Sequence, residues 1–129
     1  ANYGYTRSRI KEYAVDPTLV GNVTPYVPKD TWAFGAQYRT PITDNFGLFA
    51  RGDVEHHGMQ FWDPENSTAR DGDELVNLRF GFEDPDGTWS LIGSINNLFD
   101  KKYNSEWVLG GFAHPGHPRT WSIDLKYKF

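Results

Sequence analysis

An all-β chain, an antiparallel up-and-down meander of about six strands, is predicted by three observations. Apolar and polar side chains alternate with period 2 in one segment after another, and a helical period appears nowhere over a useful length. The joins between those segments alternate in length, short then long. Aromatic residues make up 16% of the 129, beside 13 Gly and 8 Pro, a composition that suits strands and turns.

The first strand is read over Asn2 to Ala14, although Arg7, Arg9 and Lys11 share the face of Tyr3 and Tyr5 and blur its polarity. The second, Thr31 to Thr40, sets Trp32, Phe34, Ala36 and Tyr38 against Ala33, Gly35, Gln37 and Arg39. Pro41-Ile-Thr-Asp-Asn45 supplies a tight turn. The third strand, Phe46 to Gly58, opposes Leu48, Ala50, Gly52 and Val54 to Phe49, Arg51, Asp53 and Glu55. A long stretch over 59–73 leads to the fourth, Glu74 to Glu83, with Val76, Leu78, Phe80 and Phe82 on one side. Asp84-Pro-Asp-Gly87 turns the chain into the fifth, Thr88 to Phe99, where Trp89, Leu91, Gly93 and Ile95 alternate with Ser90, Ile92, Ser94 and Asn96. After 100–117 the sixth runs from Pro118 to Phe129, with Trp121, Ile123, Leu125, Tyr127 and Phe129 facing one way.

Whether such a face meets a protein core or lipid is the question the chain poses. A soluble meander has no general reason to sort its connections by parity, whereas an outer-membrane barrel has short periplasmic turns and long extracellular loops. Each predicted strand also reaches the roughly 9–11 residues needed to cross a bilayer at a tilt. No run of about 18 apolar residues exists for a membrane helix, which leaves a barrel open because its strands hide apolar residues at alternate positions. The length fits one domain, residues 1–129. Ala1 opens the chain without an initiator Met or signal peptide, the mark of a processed chain or of a piece of a longer one. With no cysteine there is no disulfide framework or thiolate metal site. A net charge of -4 with scattered Lys and Arg argues against a nucleic-acid partner.

Three landmarks carry a family resemblance. Trp89-Ser-Leu-Ile-Gly-Ser-Ile-Asn-Asn97-Leu98-Phe99-Asp100-Lys-Lys-Tyr103 resembles the penultimate-strand signature of TonB-dependent outer-membrane receptors. Pro118-Arg119-Thr120 and the terminal Phe129 resemble the same family's closing strand. Gly21-Asn22 with Pro25-Tyr26-Val27-Pro28-Lys29 is similar to a Pro-containing loop that precedes one of its descending strands. The resemblance implies a carboxyl-terminal segment of a plugged barrel of about 22 strands, with the plug domain absent. It further implies a bacterial outer-membrane location, contact with outer-membrane lipid, and energised uptake of a scarce small-molecule nutrient such as a siderophore or carbohydrate. The rest of the barrel, the plug and, through the missing plug, TonB would be partners. No enzyme activity and no cofactor are implied. Six strands fall short of the roughly eight of the smallest filled barrel, so open edges would invite self-association. The alternative is a stand-alone soluble β-domain that binds a small apolar ligand inside a curled or closed small barrel.

Candidate ligand residues follow from the alternation. Arg51, Asp53, Glu55 and His57 share the polar face of the third strand, with Arg79 and Glu83 on the neighbouring one; they suit mutual charge compensation on a wetted wall or, near the long loops, a substrate vestibule. Trp62, with Phe61 and Trp107, fits an interfacial girdle, loop packing or stacking on a ligand. For a metal, the candidates are His57, His114 and His117, toward one rim. Against it, His56 and His57 must point to opposite faces, and no recognised spacing is present. A hydrolase pairing Glu55 or Asp63 with histidine lacks a nucleophile motif. Arg70-Asp-Gly-Asp73 reads as a turn rather than a calcium loop, and the Gly110-Gly111 pair as loop flexibility rather than a phosphate cradle.

Overall fold

The computed structural model describes residues 1–108 and 111–128. Among them are the strands β1 (Asn2–Tyr5), β2 (Asp30–Thr43), β3 (Phe46–His57), β4 (Gln60–Phe61) and β5 (Ala69–Arg70). These are followed by β6 (Asp73–Glu83), β7 (Trp89–Asn96), β8 (Asn104–Val108), β9 (Phe112–Pro115) and β10 (Thr120–Tyr127). A single 3-10 turn occupies Pro17–Leu19. Six strands form one antiparallel sheet in the order β1-β2-β3-β6-β7-β10, and β4-β5 and β8-β9 make separate two-stranded ladders.

The fold class read from the alternation is therefore correct, and the differences are at the ends of strands. β1 stops at Tyr5 rather than Ala14. Its partner runs back from Ala33 to Asp30, and beyond Lys29, whose carbonyl accepts from Thr6 N at 3.0 Å, stand Pro28 and Pro25, which have no N–H to continue a ladder. The second strand continues through Pro41 to Thr43, so only Asp44 and Asn45 form the hairpin tip. The fifth ends at Asn96 rather than Phe99 because Asn97 takes a left-handed φ of 52°. The sixth begins at Thr120, while the expectations for Phe129 and Gly110 lie outside the described residues. β4, β5, β8 and β9, inside the long loops, were not anticipated; two to five residues are too short to display a period.

The chain packs as two compact units, one of residues 1–33, 55–74 and 102–116, the other of residues 34–54, 75–101 and 117–129. In the second unit, register fixes which side chains share a face. Leu78 lies opposite Ile95, Phe80 opposite Gly93 and Phe82 opposite Leu91; Trp121 opposes Ile95, Ile123 opposes Gly93, Leu125 opposes Leu91 and Tyr127 opposes Trp89. Directly paired residues stand on one side of a sheet, so three neighbouring strands carry one continuous apolar face. It is uncovered: Trp121 is 77% exposed, Leu125 73% and Phe80 55%. On the reverse face Arg79 opposes Ser94, Glu83 opposes Ser90, and Thr120, Ser122, Asp124 and Lys126 alternate along β10. Gly81, paired with Ile92 there, has no room for a side chain, since a Cβ would run into the Leu91 carbonyl and the Ile92 Cα. Among the described residues of this unit, the one large apolar side chain that is buried is Phe49, 3% exposed.

In the first unit, irregular segments are stitched edge to edge by backbone bonds. Ile10 N donates to Asn22 O at 2.9 Å, Lys29 N to Met59 O at 3.1 Å and Tyr26 N to Phe61 O at 2.9 Å. Asn66, at φ 57°, clasps Val23 from both sides: its Oδ1 accepts from Val23 N at 2.8 Å and its Nδ2 donates to Val23 O at 2.9 Å. Leu19 and Trp62 are buried here.

Candidate functional site

The sequence-predicted wall residues divide between the two units. In the second, Arg51 Nε and Nη2 each donate to Asp53 at 2.7 Å, a fork-to-fork pair two residues apart on one strand face. The Arg79 guanidinium lies 5.8 Å from the centroid of Phe49, and that of Arg39 lies 4.9 Å from the same ring while its Nε reaches Glu83 Oε1 at 2.7 Å. Two cations thus cover an otherwise apolar ring, and two of the three arginines named here are each paired with a carboxylate.

Glu55 and His57 belong to the first unit. Glu55 is exposed and has no ion-pair or hydrogen-bond partner among the described residues. His57 Nδ1 stands 3.4 Å from Oδ1 of Asp73, itself 1% exposed, whose Oδ2 accepts from Arg70 Nη2. Arg70 also lies over the ring of Tyr103 at 5.1 Å, and Tyr103 packs so closely on Gly116 that a Cβ there would enter the ring.

His56, which alternation sends to the other face, finds different partners. Its Nδ1 is 2.8 Å from Glu74 Oε1, its Nε2 is 3.3 Å from Asp30 Oδ2, and its ring stacks on Trp32 at 5.2 Å and 10°. Sequence reasoning missed this group, because Asp30, His56 and Glu74 lie on three strands and only register aligns them; the signal available was their common position at strand ends. Trp62, proposed as a ligand platform, is 5% exposed and meets Tyr26 edge-on at 5.3 Å, so its ring is taken up by loop packing.

The metal candidates do not converge. His57 faces Asp73, His114 Nδ1 lies 3.4 Å from Glu106, and the His117 carbonyl accepts from Asn97. Among the described residues no set of three or more His, Asp or Glu is arranged to hold an ion.

The Asn97-Leu98-Phe99-Asp100 motif builds a clasp. Buried Asn97 donates through Nδ2 to Lys101 O and His117 O, both at 3.0 Å, and its Oδ1 accepts from Lys101 N at 2.8 Å. Its own N–H donates to Asn77 Oδ1 at 3.0 Å, and Leu98 N to Val76 O at 2.8 Å. Asp100, at φ 51°, accepts from Arg119 N at 3.0 Å. The exit of β7 is so fastened to the segment leading into β10. Phe99 projects 74% exposed, and Pro118 follows the pinned His117.

The ferric preacinetobactin receptor BauA of Acinetobacter baumannii superposes with a TM-score of 0.84 over 95% of this chain at 20% identity. The chain has the fold of a part of that receptor. The ferric yersiniabactin uptake receptor FyuA of Yersinia pestis matches with a TM-score of 0.77 over 86% of the chain, again at 20% identity. In each case the chain spans 18% of the receptor's length. No protein-family model matches the sequence.

Proposed function

We propose that the chain is a membrane-crossing section of barrel wall, the carboxyl-terminal part of a TonB-dependent receptor in a bacterial outer membrane, that takes up a scarce small molecule. The observation that carries this is the uncovered apolar face shared by β6, β7 and β10, backed by a face of polar and charged residues. Exposed apolar area of that extent calls for lipid or a partner, and alternation of lipid-facing and lumen-facing residues is the pattern of a transmembrane barrel. Support for uptake as the role comes from the two receptors of like fold, both named for ferric complexes, so a ferric chelate is the leading substrate class. The polar face then lines a lumen, with Arg51, Asp53 and Arg79 as wall residues, and the loops of the first unit meet the incoming molecule. Energy would reach the site through TonB and a plug domain, and the reaction is translocation without covalent chemistry.

Placement is tested by quenching tryptophan fluorescence with brominated lipids in vesicles. Lipid contact predicts strong quenching that falls in a Trp121→Phe variant and is little changed in a Trp62→Phe variant, whose ring is already buried. A chain that is folded and monodisperse in water without detergent, with Trp121 unquenched in vesicles, refutes it. The uptake role is tested with radio-iron chelates in cells bearing the receptor: uptake abolished by a protonophore is expected, and uptake indifferent to it rejects the energised mechanism.

A further inference from the structure

The first unit contains a cavity of about 360 Å³ that none of the roles above uses. Among the described residues, three that line it, Arg7, Arg9 and Lys29, are cationic and exposed, and none is a carboxylate. None of the three forms an ion pair among the described residues. Arg9 is held in place by a 2.7 Å bond from Nη1 to Gly21 O, which leaves a guanidinium further donors to offer. The Ser8 hydroxyl, also on the lining, is buried with no hydrogen-bond partner among the described residues. Most of the remaining wall is apolar, from Tyr5, Val23, Val27, Met59 and Phe61. The frame is fixed by backbone bonds, with Thr6 N donating to Lys29 O and Lys29 N to Met59 O.

Like charges gathered without a counter-charge repel one another, and that repulsion is relieved by an anion. An orphaned hydroxyl donor beside them adds a hydrogen bond that an oxyanion would accept. The apolar remainder has nothing to give a bare inorganic ion, and its volume lies in the range of small-molecule pockets. We infer that this cavity binds an organic anion, a phosphate or carboxylate carrying a ring or short hydrocarbon body, with the anionic head on Arg7, Arg9, Lys29 and Ser8 and the body against Val27 and Phe61. The site is built within the first unit alone, so it stands or falls separately from the lipid contact proposed for the second.

Calorimetric titration of the full chain in nonionic detergent micelles with phenyl phosphate provides the test. Saturable one-site binding is expected, with inorganic phosphate and phenol each at least about tenfold weaker because each supplies half of the recognition. Arg7→Ala with Lys29→Ala weakens phenyl phosphate about tenfold or more, and Val27→Trp, which fills the cavity and leaves the charges, does the same. Competition by dioctanoyl phosphatidic acid assigns the site to a lipid headgroup, and failure to compete assigns it to a soluble anion; both results keep the site. Absence of saturable binding, wild-type affinity in either variant, or phenol binding as well as phenyl phosphate overturns it.

Discussion

Replacing Asn97 by alanine removes three side-chain hydrogen bonds from a residue that is 5% exposed. At about 1 kcal/mol each, they account for roughly 3 kcal/mol. Asn97 also sits at φ 52°, where a Cβ-bearing residue other than Asn or Asp costs about 1 kcal/mol more. The Lys101 N–H, left without its acceptor, adds to the penalty unless water reaches it. Asn97→Ala is therefore expected to lower stability by about 4 kcal/mol. Asn97→Gly, which relieves the backbone term alone, should recover a fraction of that, and Asn97→Asp, which keeps an acceptor for Lys101 N but sets carboxylate oxygens against two carbonyls, should recover none. The assay is urea unfolding of the full chain in micelles, followed by tryptophan fluorescence. With a slope of about 2 kcal/mol/M, the midpoint should fall by about 2 M. A midpoint within about 0.5 M of the wild type would mean that the clasp contributes little, and that the motif is not explained by its hydrogen bonds.

On β10, Ile123→Arg puts a cation on the apolar face opposite Gly93 and should reduce insertion into vesicles by about 2–4 kcal/mol, whereas Ser122→Arg on the other face should change it by less than about 1 kcal/mol; equal effects would contradict the assignment of faces. Gly81→Ala meets backbone rather than a movable side chain and should cost about 1–3 kcal/mol in the same unfolding assay, a neutral outcome disproving the close approach of β6 and β7. For Asp63, burial raises the carboxyl, but hydrogen bonds from Ser67 and Thr68 outweigh it and hold the group below the usual carboxylate range. A depressed folded value gives stability that is present above the unfolded value of about 3.9 and lost as pH falls through the folded one. Wild type should therefore lose stability relative to Asp63→Asn on acidification below about pH 4, and parallel pH profiles would rule this out.

How much of this was written in the sequence depends on the scale of the signal. Alternation over Phe46 to His57 or Trp121 to Tyr127 is long enough to fix strand, face and polarity at once, and Asp84-Pro-Asp-Gly87 announces its own turn. The overrun of the first strand was also legible in principle, because Pro25 and Pro28 stand where its ladder partner would have to donate. The His56 cluster was not: its three members are linked by cross-strand register, which no single segment encodes. The cavity was hidden for the same reason. Arg7, Arg9 and Lys11 break the polarity of an amphipathic strand, and only the return of 22–29 alongside them makes Arg7 and Arg9 part of the lining of a shared space.

The clasp at Asn97 has an evolutionary corollary. Both ends of the connection from β7 to β10 are pinned, one by Asn97 on Lys101 and His117, the other by Asp100 on Arg119. Between those anchors, a change in the length of the loop need not disturb the pairing of β10 with β7, much as a bracket holds interchangeable tools. Loops bear specificity and vary faster than the elements they join. A short motif that pins both ends of a loop can thus leave the sequence between them free to diverge without disturbing the sheet.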